Sequence, residues 1–287
     1  MKIAFTDFWG MFIPNHNFFY YMLEDIYRDI QVTSPEDCDI LLYGPYGKDH
    51  QKFDPQNKIK IFVTGENLRP NFEECTYSFS FDFDDYQGRN VRIPLWFMQF
   101  DWYKKDSFKN PEFVIGLDKI DDNDYIQNPK TKFCVLVNNN LFDDRVQCVH
   151  TLSDYKQVEC FGKPFGNWFY GESKKYELFS NFKFSICFEN SVAPDGGYYT
   201  EKLIHAKLAG TLPLYYADEK VELDFNTKSF LNLNDYSSMN QFADHVIQLD
   251  KNQEEYEAIV NEPLFNKNPD MSDLEEIKSR VKRMINL

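Results

Sequence analysis

Short apolar stretches alternate along the chain with segments whose apolar residues recur at helical spacing. In the first helical segment the apolar side chains stand three and four positions apart, as one face of an α-helix requires: Phe18, Phe19, Met22, Leu23, Ile26 and Tyr27. The short apolar stretches predict strands. In the first half of the chain these strands fall at 2–5, 40–43, 59–63, 77–81 and 90–93. Strands and helices in alternation are typical of an α/β domain with a parallel sheet.

The same alternation returns after a polar segment at 105–132, which we interpret as a linker between domains. Further strands are expected at 133–137, 158–161, 182–188, 211–215 and 229–233. Helices are expected around Arg145 and at 173–180, 200–209 and 239–250. The pattern therefore predicts two α/β domains, residues 1–125 and 126–270, followed by an amphipathic helix at 271–287. Ligands of such sheets bind at the carboxyl ends of the strands.

Composition and charge narrow the class of protein. The 287 residues carry 46 acidic and 31 basic side chains, and the formal net charge of −15 argues against a protein that coats nucleic acid. The chain begins without a signal-peptide pattern and contains no apolar run of the roughly 20 residues that span a bilayer. Its six cysteines are scattered, as buried thiols in a reducing compartment would be. We therefore expect a soluble cytoplasmic protein.

The usual nucleotide and metal signatures are missing from the sequence. The chain has no GxxxxGK[ST] loop, no GxGxxG turn and no HExxH pair. Asp82 and Asp84 form a DxD pattern, which could hold a divalent cation on a nucleotide-sugar diphosphate. Short aspartate clusters in an acidic protein are more often solvated turns, and the composition favours that alternative.

One stretch combines a strand end with a helix start. The strand at 182–188 ends in the polar run ENS, and a glycine turn then leads to a helix for which Thr200 is the expected N-cap, with Glu201 and Lys202 in its first turn. A helix start and a lysine both suit an anion such as phosphate. The alternative is that Glu201 stabilises the first turn and Lys202 lies on a solvated face. The spacing alone leaves both interpretations open.

Six runs carry a more specific signal. They are DFWGMF, PEDCDILLYGPYG and FVTGENLRPNF in the first half, and FKFSICFENS, GGYYTEKLIHAKLAGTLPLYY and DFNTKSF in the second. Together they closely resemble the α-1,3/4-fucosyltransferases, glycosyltransferase family 10, in their bacterial form. The resemblance covers roughly residues 1–263 and is weaker between 97 and 133.

The resemblance implies a GT-B architecture, with two Rossmann-like domains and a cleft between them. The acceptor would bind mainly on the first domain and GDP-fucose on the second. The implied reaction is an inverting transfer of fucose to a hydroxyl of an acceptor glycan, through an α-1,3 linkage to N-acetylglucosamine or a similar sugar. No cofactor is then required and a divalent metal is not expected to be essential, so Asp82 and Asp84 become structural or acceptor-side residues.

The resemblance also assigns roles to individual residues. Glu66, in TGEN, matches the general base that takes the proton of the acceptor hydroxyl; the alternative is a carboxylate that only hydrogen-bonds its own turn. Asn67 beside it would orient the acceptor or the sugar. Donor-binding roles fall to five residues: Arg145, Asn190, Tyr198, Glu201 and Lys202. Of these, Arg145 and Lys202 match contacts to the diphosphate, and the others match positions that hold the fucose, the ribose or the nucleotide.

Three places depart from the family's usual pattern. The loop 138–140 is Asn-Asn-Asn where the family usually has Ser-Asn-Pro, Tyr216 and Ala217 stand where tryptophan and glycine are frequent, and 165–168 is altered. These positions are expected near the base or the sugar of the donor. Two alternatives therefore stay open: the same fold with another GDP-sugar or other nucleotide-sugar donor, or a non-catalytic module that binds a nucleotide or a glycan.

The predicted helix at 271–287 places Leu274, Ile277 and Val281 on one face, with basic side chains on the rest of its surface. A basic amphipathic helix can lie on an anionic membrane, so peripheral membrane contact is one interpretation. Packing of the helix against a domain is the alternative, which we favour. The predicted partners are thus GDP-fucose and a glycan acceptor, without nucleic acid, and the oligomeric state is not predicted.

Overall fold

The computed structural model of the chain describes residues 1–104, 114–120, 128–166, 173–192 and 195–285. The chain forms two compact units, of which the first comprises Met1–Leu117 with Pro269–Leu287 and the second comprises Asp118–Asn268. The division between the units thus falls inside the predicted polar linker. Residues 105–113 and 121–127 of that linker lie outside the described residues, as do Asn167 and Trp168 of the altered segment.

The first unit is built on a parallel sheet of six strands. Its elements before the linker are β1 (Lys2–Thr6), α1 (Phe18–Tyr27), β2 (Gln31–Val32), β3 (Ile40–Tyr43), β4 (Ile59–Val63), β5 (Tyr77–Ser80) and β6 (Asn90–Arg92). The strands lie in the order β2-β1-β3-β4-β5-β6 and every pair is parallel. Because β2 lies on one side of β1 and the later strands on the other, the winding direction of the chain reverses between β1 and β3.

The second unit has a parallel sheet of five strands with the same kind of reversal. Its elements are β7 (Lys132–Val137), α2 (Asp143–Ser153), β8 (Val158–Phe161), α3 (Ser173–Phe179), β9 (Phe182–Ile186), α4 (Lys202–Leu208), β10 (Leu212–Tyr215), β11 (Leu231–Asn232), α5 (Met239–Lys251) and α6 (Gln253–Val260). The order is β11-β10-β9-β7-β8, so the winding reverses between β7 and β9. The predicted fold class, α/β with two parallel sheets, is confirmed.

Burial of the strands explains why apolar runs revealed them. All four residues of β3, Ile-Leu-Leu-Tyr, are buried, and so are four consecutive residues of β7. Strands of a parallel sheet that is covered on both faces read as nearly continuous apolar runs. The hydrophobic core of the second unit accordingly joins strand residues to α2, α5 and α6, through side chains such as Cys148, Phe242 and Tyr256.

Helix α1 begins at a buried asparagine. Asn17 is 1% exposed; its Oδ1 accepts the N–H of Tyr20 at 2.9 Å, while its Nδ2 donates to the carbonyls of Ile13 and Pro14. An asparagine at this position satisfies an N–H that would otherwise lack a partner at the helix start. The same side chain therefore fixes the start of α1 and the end of the loop that follows β1.

The terminal helix α7 (Met271–Ile285) packs in the first unit, against β6 and α1. Its apolar face is buried through Leu274, Ile277, Val281 and Ile285. On its polar face Lys278 forms an ion pair with Asp25 of α1. The apolar face of α7, which the membrane interpretation would place on a bilayer, is thus packed against the helix's own unit. Within the described ranges, the structure has no helix that is both long and apolar enough to cross a bilayer.

Two predicted strands are shorter by two residues or more, and the others match their predicted bounds to within one residue. The strand expected at 182–188 ends at Ile186, because the carbonyl of Phe188 accepts hydrogen bonds from Arg145 instead of continuing a ladder. The strand expected at 229–233 is reduced to β11, because Asn226 caps a short 3-10 turn at Thr227–Ser229. Strand β2 and helix α6 were not predicted.

Candidate functional site

A cavity of about 220 Å³ lies in the second unit, at the carboxyl edge of its sheet. The crevice outside a reversal of winding, here between β7 and β9, is the usual ligand site of an open parallel sheet. The polar part of the lining comes from the segments after these strands and from α3 and α4: the loop 138–140, Lys175, Asn190, Glu201, Lys202 and His205.

Lys202 is held at the wall of this cavity by a buried carboxylate. Its Nζ donates to Oε2 of Glu189 at 2.8 Å and to Oγ1 of Thr200 at 2.9 Å, and the Glu189 side chain is only 1% exposed. Burial alone would lower the pKa of Lys202, but the charges of Glu189 and Glu201 raise it. Lys202 therefore keeps its positive charge in a fixed position.

Thr200 does not cap the helix, contrary to the prediction. Helix α4 begins at Lys202, and both the N–H and the hydroxyl of Thr200 donate to Oε1 of Glu189, at 2.8 and 2.9 Å. The hydroxyl of Tyr215 donates to the same oxygen at 2.8 Å. A buried carboxylate needs several donors to offset its lost hydration, and Glu189 takes the donors of Thr200 for that purpose.

Arg145 connects the two segments that end β7 and β9. Its side chain is buried, with Nε donating to the carbonyl of Phe188 at 3.1 Å, Nη1 to the carbonyl of Asn140 at 2.9 Å and Nη2 to Oδ1 of Asn190 at 3.1 Å. Nη2 also donates to the carbonyl of Phe188. The planar guanidinium thus fixes the geometry of the crevice, and the contact of Arg145 with a diphosphate stays a prediction.

The other predicted donor-binding residues occupy different positions. Asn190 and Glu201 line the cavity. Although burial would raise the pKa of the Glu201 carboxyl, the charges of Lys202 and Lys175 hold that pKa well below its ordinary value, so the group is a carboxylate. Tyr198 is 3% exposed and lies outside the lining of this cavity.

Lys175 and His205 line the cavity but were not predicted. Lys175 belongs to α3, which the sequence placed correctly, although nothing in the local pattern showed which face of that helix would meet the cavity. His205 stands four residues after Glu201 on α4, so the two share one helix face. Helical spacing from Glu201 was therefore a signal that could have found His205.

Acidification is expected to destabilise the protein through His205. Burial, together with the charge of Lys175, lowers the pKa of His205 to about 3. The unfolded chain binds a proton near pH 6.5, so between pH 6.5 and 3 it holds more protons than the folded chain and stability falls as the pH falls. Denaturant unfolding at pH 7 and pH 5 should show that the wild type loses about 2 kcal/mol more than a His205→Gln variant. Equal losses in the two proteins would contradict this.

Glu66 lies in the first unit, in the turn that follows β4. Oγ1 of Thr64 accepts the N–H of Glu66 at 3.0 Å and donates to its carbonyl at 2.6 Å, which fixes the turn. The carboxylate points elsewhere: its Oε1 accepts the hydroxyl of Tyr46 at 2.9 Å. Asn67 is half-buried beside it. The side chain of Glu66 therefore has a partner outside its own turn.

The DxD aspartates have structural partners. Asp82 is buried, pairs with Arg69 and accepts the hydroxyl of Tyr86, while the exposed Asp84 accepts the N–H of Tyr86 at 2.7 Å. Among the residues that the structure describes, no group of three or more histidine, cysteine, aspartate or glutamate side chains is placed to hold a metal ion.

Two family models match separate parts of the chain. The model of glycosyltransferase family 10 (fucosyltransferase), C-terminal part, matches residues 126–261, which contain the cavity and the Glu189–Lys202 pair. The model of the N-terminal domain of the α-(1,3)-fucosyltransferase FucT matches residues 3–99, which contain Glu66.

Individual proteins show the same likeness. The chain is 27% identical to the α-(1,3)-fucosyltransferase FucT of Helicobacter pylori over 300 residues, which is 92% of this chain and 60% of that protein. It is 30% identical to the 4-galactosyl-N-acetylglucosaminide 3-α-L-fucosyltransferase 9 of Cricetulus griseus over 165 residues, which is 55% of this chain and 45% of that protein. The chain thus spans less than two thirds of either relative.

A crystal structure of an α1,3-fucosyltransferase with GDP superimposes with a TM-score of 0.75 at 25% identity, covering 100% of this chain and 90% of that one. The likeness extends over both parallel sheets. It confirms the predicted GT-B class of two Rossmann-like domains.

Proposed function

We propose that this chain, which belongs to glycosyltransferase family 10, transfers fucose from GDP-fucose to a hydroxyl group of a glycan acceptor. The observation that carries the proposal is the cavity at the β7–β9 crevice, where Glu189 holds Lys202 at the wall. A fixed ammonium group beside amide side chains suits the diphosphate and hydroxyl groups of a nucleotide sugar. The GDP held by the similar α1,3-fucosyltransferase supports a guanosine diphosphate donor.

In the proposed reaction Glu66 is the general base. Its carboxylate takes the proton of the acceptor hydroxyl while the oxygen of that hydroxyl forms a bond to C1 of fucose. The bond from C1 to the β-phosphate oxygen breaks with its electron pair, so that GDP leaves. Attack on the face opposite GDP inverts C1, and a β-linked donor gives an α-linked product. Proton transfer by a positioned carboxylate accelerates such a step by about 10²–10⁴-fold.

Positive charge in the second unit stabilises the departing diphosphate in this proposal. Lys202 supplies it as a direct contact, and Lys175 adds a second cation at the cavity. Arg145 keeps Asn190 in place through its 3.1 Å hydrogen bond, while Asn190 and Glu201, which line the cavity, hold hydroxyl groups of the donor. With this positive charge at the leaving group, no divalent metal is required.

The names of the relatives support a finer assignment. The Helicobacter pylori protein is an α-(1,3)-fucosyltransferase, and the name of the Cricetulus griseus enzyme specifies a 4-galactosyl-N-acetylglucosaminide as acceptor. We therefore propose an α-1,3 linkage to N-acetylglucosamine or a similar sugar of the acceptor.

A panel of donors and acceptors tests the proposal. We expect GDP release from GDP-fucose that depends on an acceptor such as a 4-galactosyl-N-acetylglucosaminide, and a product heavier by one fucosyl residue. In parallel, GDP at 100 times its Kd should stabilise the chain by about 2.7 kcal/mol, and UDP should not.

Other results would select the alternatives. Faster turnover of a different GDP-sugar would change the donor but keep the mechanism. Stabilisation by UDP without stabilisation by GDP would show that the site does not recognise guanine. Stabilisation by GDP without release of GDP from any acceptor mixture would favour a non-catalytic binding module.

A further inference from the structure

Three loops at one edge of the first unit's sheet bring aromatic side chains and the carboxylate of Glu66 together. Trp9 follows β1, Tyr46 follows β3 and Glu66 follows β4, and these three strands are neighbours in the sheet. The edge lies beside the reversal of winding between β1 and β3, where an open parallel sheet offers its ligand site.

The two aromatic rings and the carboxylate are in contact. The hydroxyl of Tyr46 donates to Oε1 of Glu66 at 2.9 Å, and the rings of Trp9 and Tyr46 meet edge to face, with centroids 6.3 Å apart. Trp9 is supported on another side by Phe12, whose ring centroid is 5.1 Å away. Burial and the hydrogen bond to Glu66 raise the pKa of the Tyr46 hydroxyl, so it stays protonated and acts as a donor.

The loop that carries Tyr46 is closely packed against Asp7. The N–H of Tyr46 donates to the carbonyl of Asp7 at 2.9 Å. A Cβ at Gly44 would lie 2.6 Å from that carbonyl oxygen, and one at Gly47 would lie 2.2 Å from Oδ1 of Asp7. Only glycine allows such a close approach of the loop on both sides of Tyr46. The loop therefore holds the backbone of Tyr46 in place, and the hydrogen bond to Glu66 directs its hydroxyl.

The same loops expose apolar surface. Tyr46 is 46% exposed, and its neighbours in these loops include Met11 at 74%, Leu68 at 49% and Ile13 at 37%. An exposed aromatic face beside a carboxylate suits a pyranose ring, because the C–H face of the sugar packs on the ring and a hydroxyl bonds to the carboxylate. A fixed, exposed set of this kind indicates a saccharide as the ligand.

We propose that Trp9 and Tyr46 form the acceptor-sugar subsite, and that Tyr46 holds one oxygen of Glu66 so that the other can take the proton of the attacking hydroxyl. This inference rests on the proposed role of Glu66 as general base. Trp9 is a binding residue in this arrangement, and Tyr46 is a positioning residue whose ring also contacts the sugar.

Three variants separate these roles in steady-state kinetics with the acceptor that gives the fastest GDP release. Tyr46→Phe keeps the ring and loses the hydroxyl, so kcat should fall about tenfold with little change in the acceptor KM. Tyr46→Ala should in addition raise the acceptor KM about tenfold, since the ring face is lost. Trp9→Ala should raise the acceptor KM about tenfold and change kcat by less than about threefold, and Trp9→Phe should restore much of the KM.

Tyr20→Phe is the matched control, because Tyr20 donates to Glu24 at 3.0 Å on α1 in the same kind of tyrosine–glutamate pair. It should leave both constants unchanged, and stabilisation by GDP should be the same in all variants. A Tyr46→Phe enzyme with wild-type kcat, or a folded Trp9→Ala enzyme with wild-type acceptor KM, overturns the inference. If Glu66→Gln itself stays active, the proposed base is wrong, which distinguishes the two failures.

Discussion

Replacement of Glu66 by glutamine is expected to lower kcat for fucosyl transfer about a thousandfold. Glutamine keeps the shape of the side chain and an oxygen that can accept the Tyr46 hydroxyl, which in the wild type donates to Oε1 of Glu66 at 2.9 Å. It cannot take a proton from the acceptor. Proton transfer should therefore be lost while the fold and the second unit's affinity for GDP are retained. Initial rates of GDP release at saturating substrates, with thermal shifts by GDP alongside, measure both effects.

Glu24→Gln is the control for this variant. Glu24 also accepts a tyrosine hydroxyl, that of Tyr20 at 3.0 Å, but on α1. The control should keep wild-type kcat. A Glu66→Gln enzyme whose kcat lies within about tenfold of wild type would show that another group, or the solvent, takes the proton.

Most strands of both sheets could be predicted from the sequence because they are buried. All four side chains of the apolar run Ile40–Tyr43 are buried, as is typical of a strand in a parallel sheet that is covered on both faces. The end of β9 could not be predicted, because it is set by Arg145, which stands 43 residues before Phe188 in the chain and takes its carbonyl. Local pattern carries no information on such a distant partner.

The site shows the same limit at the level of single residues. The resemblance to the fucosyltransferases drew attention to Glu66 and Lys202 in their correct strand-end and helix-start positions. It did not identify the side chains that hydrogen-bond to them. Tyr46 stands 20 positions before Glu66 in the sequence and Glu189 stands 13 positions before Lys202, so only the fold brings each pair together. The assignment of Thr200 as a helix cap failed for the same reason. Thr200 donates to Glu189 instead, and Glu189 comes from the segment that follows the neighbouring strand.

Replacement of Lys202 by methionine is expected to destabilise the second unit and to weaken GDP binding at the same time. The variant leaves the carboxylate of Glu189, 1% exposed, without its cation, although Thr200 and Tyr215 continue to donate to it. Removal of one partner of a buried ion pair costs about 3–5 kcal/mol, which lowers Tm by roughly 10 °C in a domain of this size. Loss of a charge-assisted contact to the diphosphate should raise Kd for GDP about 30-fold.

A double variant separates the two effects. In Lys202→Met with Glu189→Gln the unpaired buried charge is gone, so more than about half of the lost stability should return, while Kd for GDP stays raised. Lys183→Met is the control for an ion pair elsewhere in the same unit. Lys183 pairs at 3.1 Å with the buried carboxylate of Asp250, which keeps Lys156 as a second cation. Tm should therefore fall less than in Lys202→Met, and Kd should not change. If the double variant bound GDP as tightly as wild type, Lys202 would serve only to neutralise Glu189. A persistent loss of affinity in a restored fold instead assigns Lys202 to the ligand, since stability no longer accounts for it.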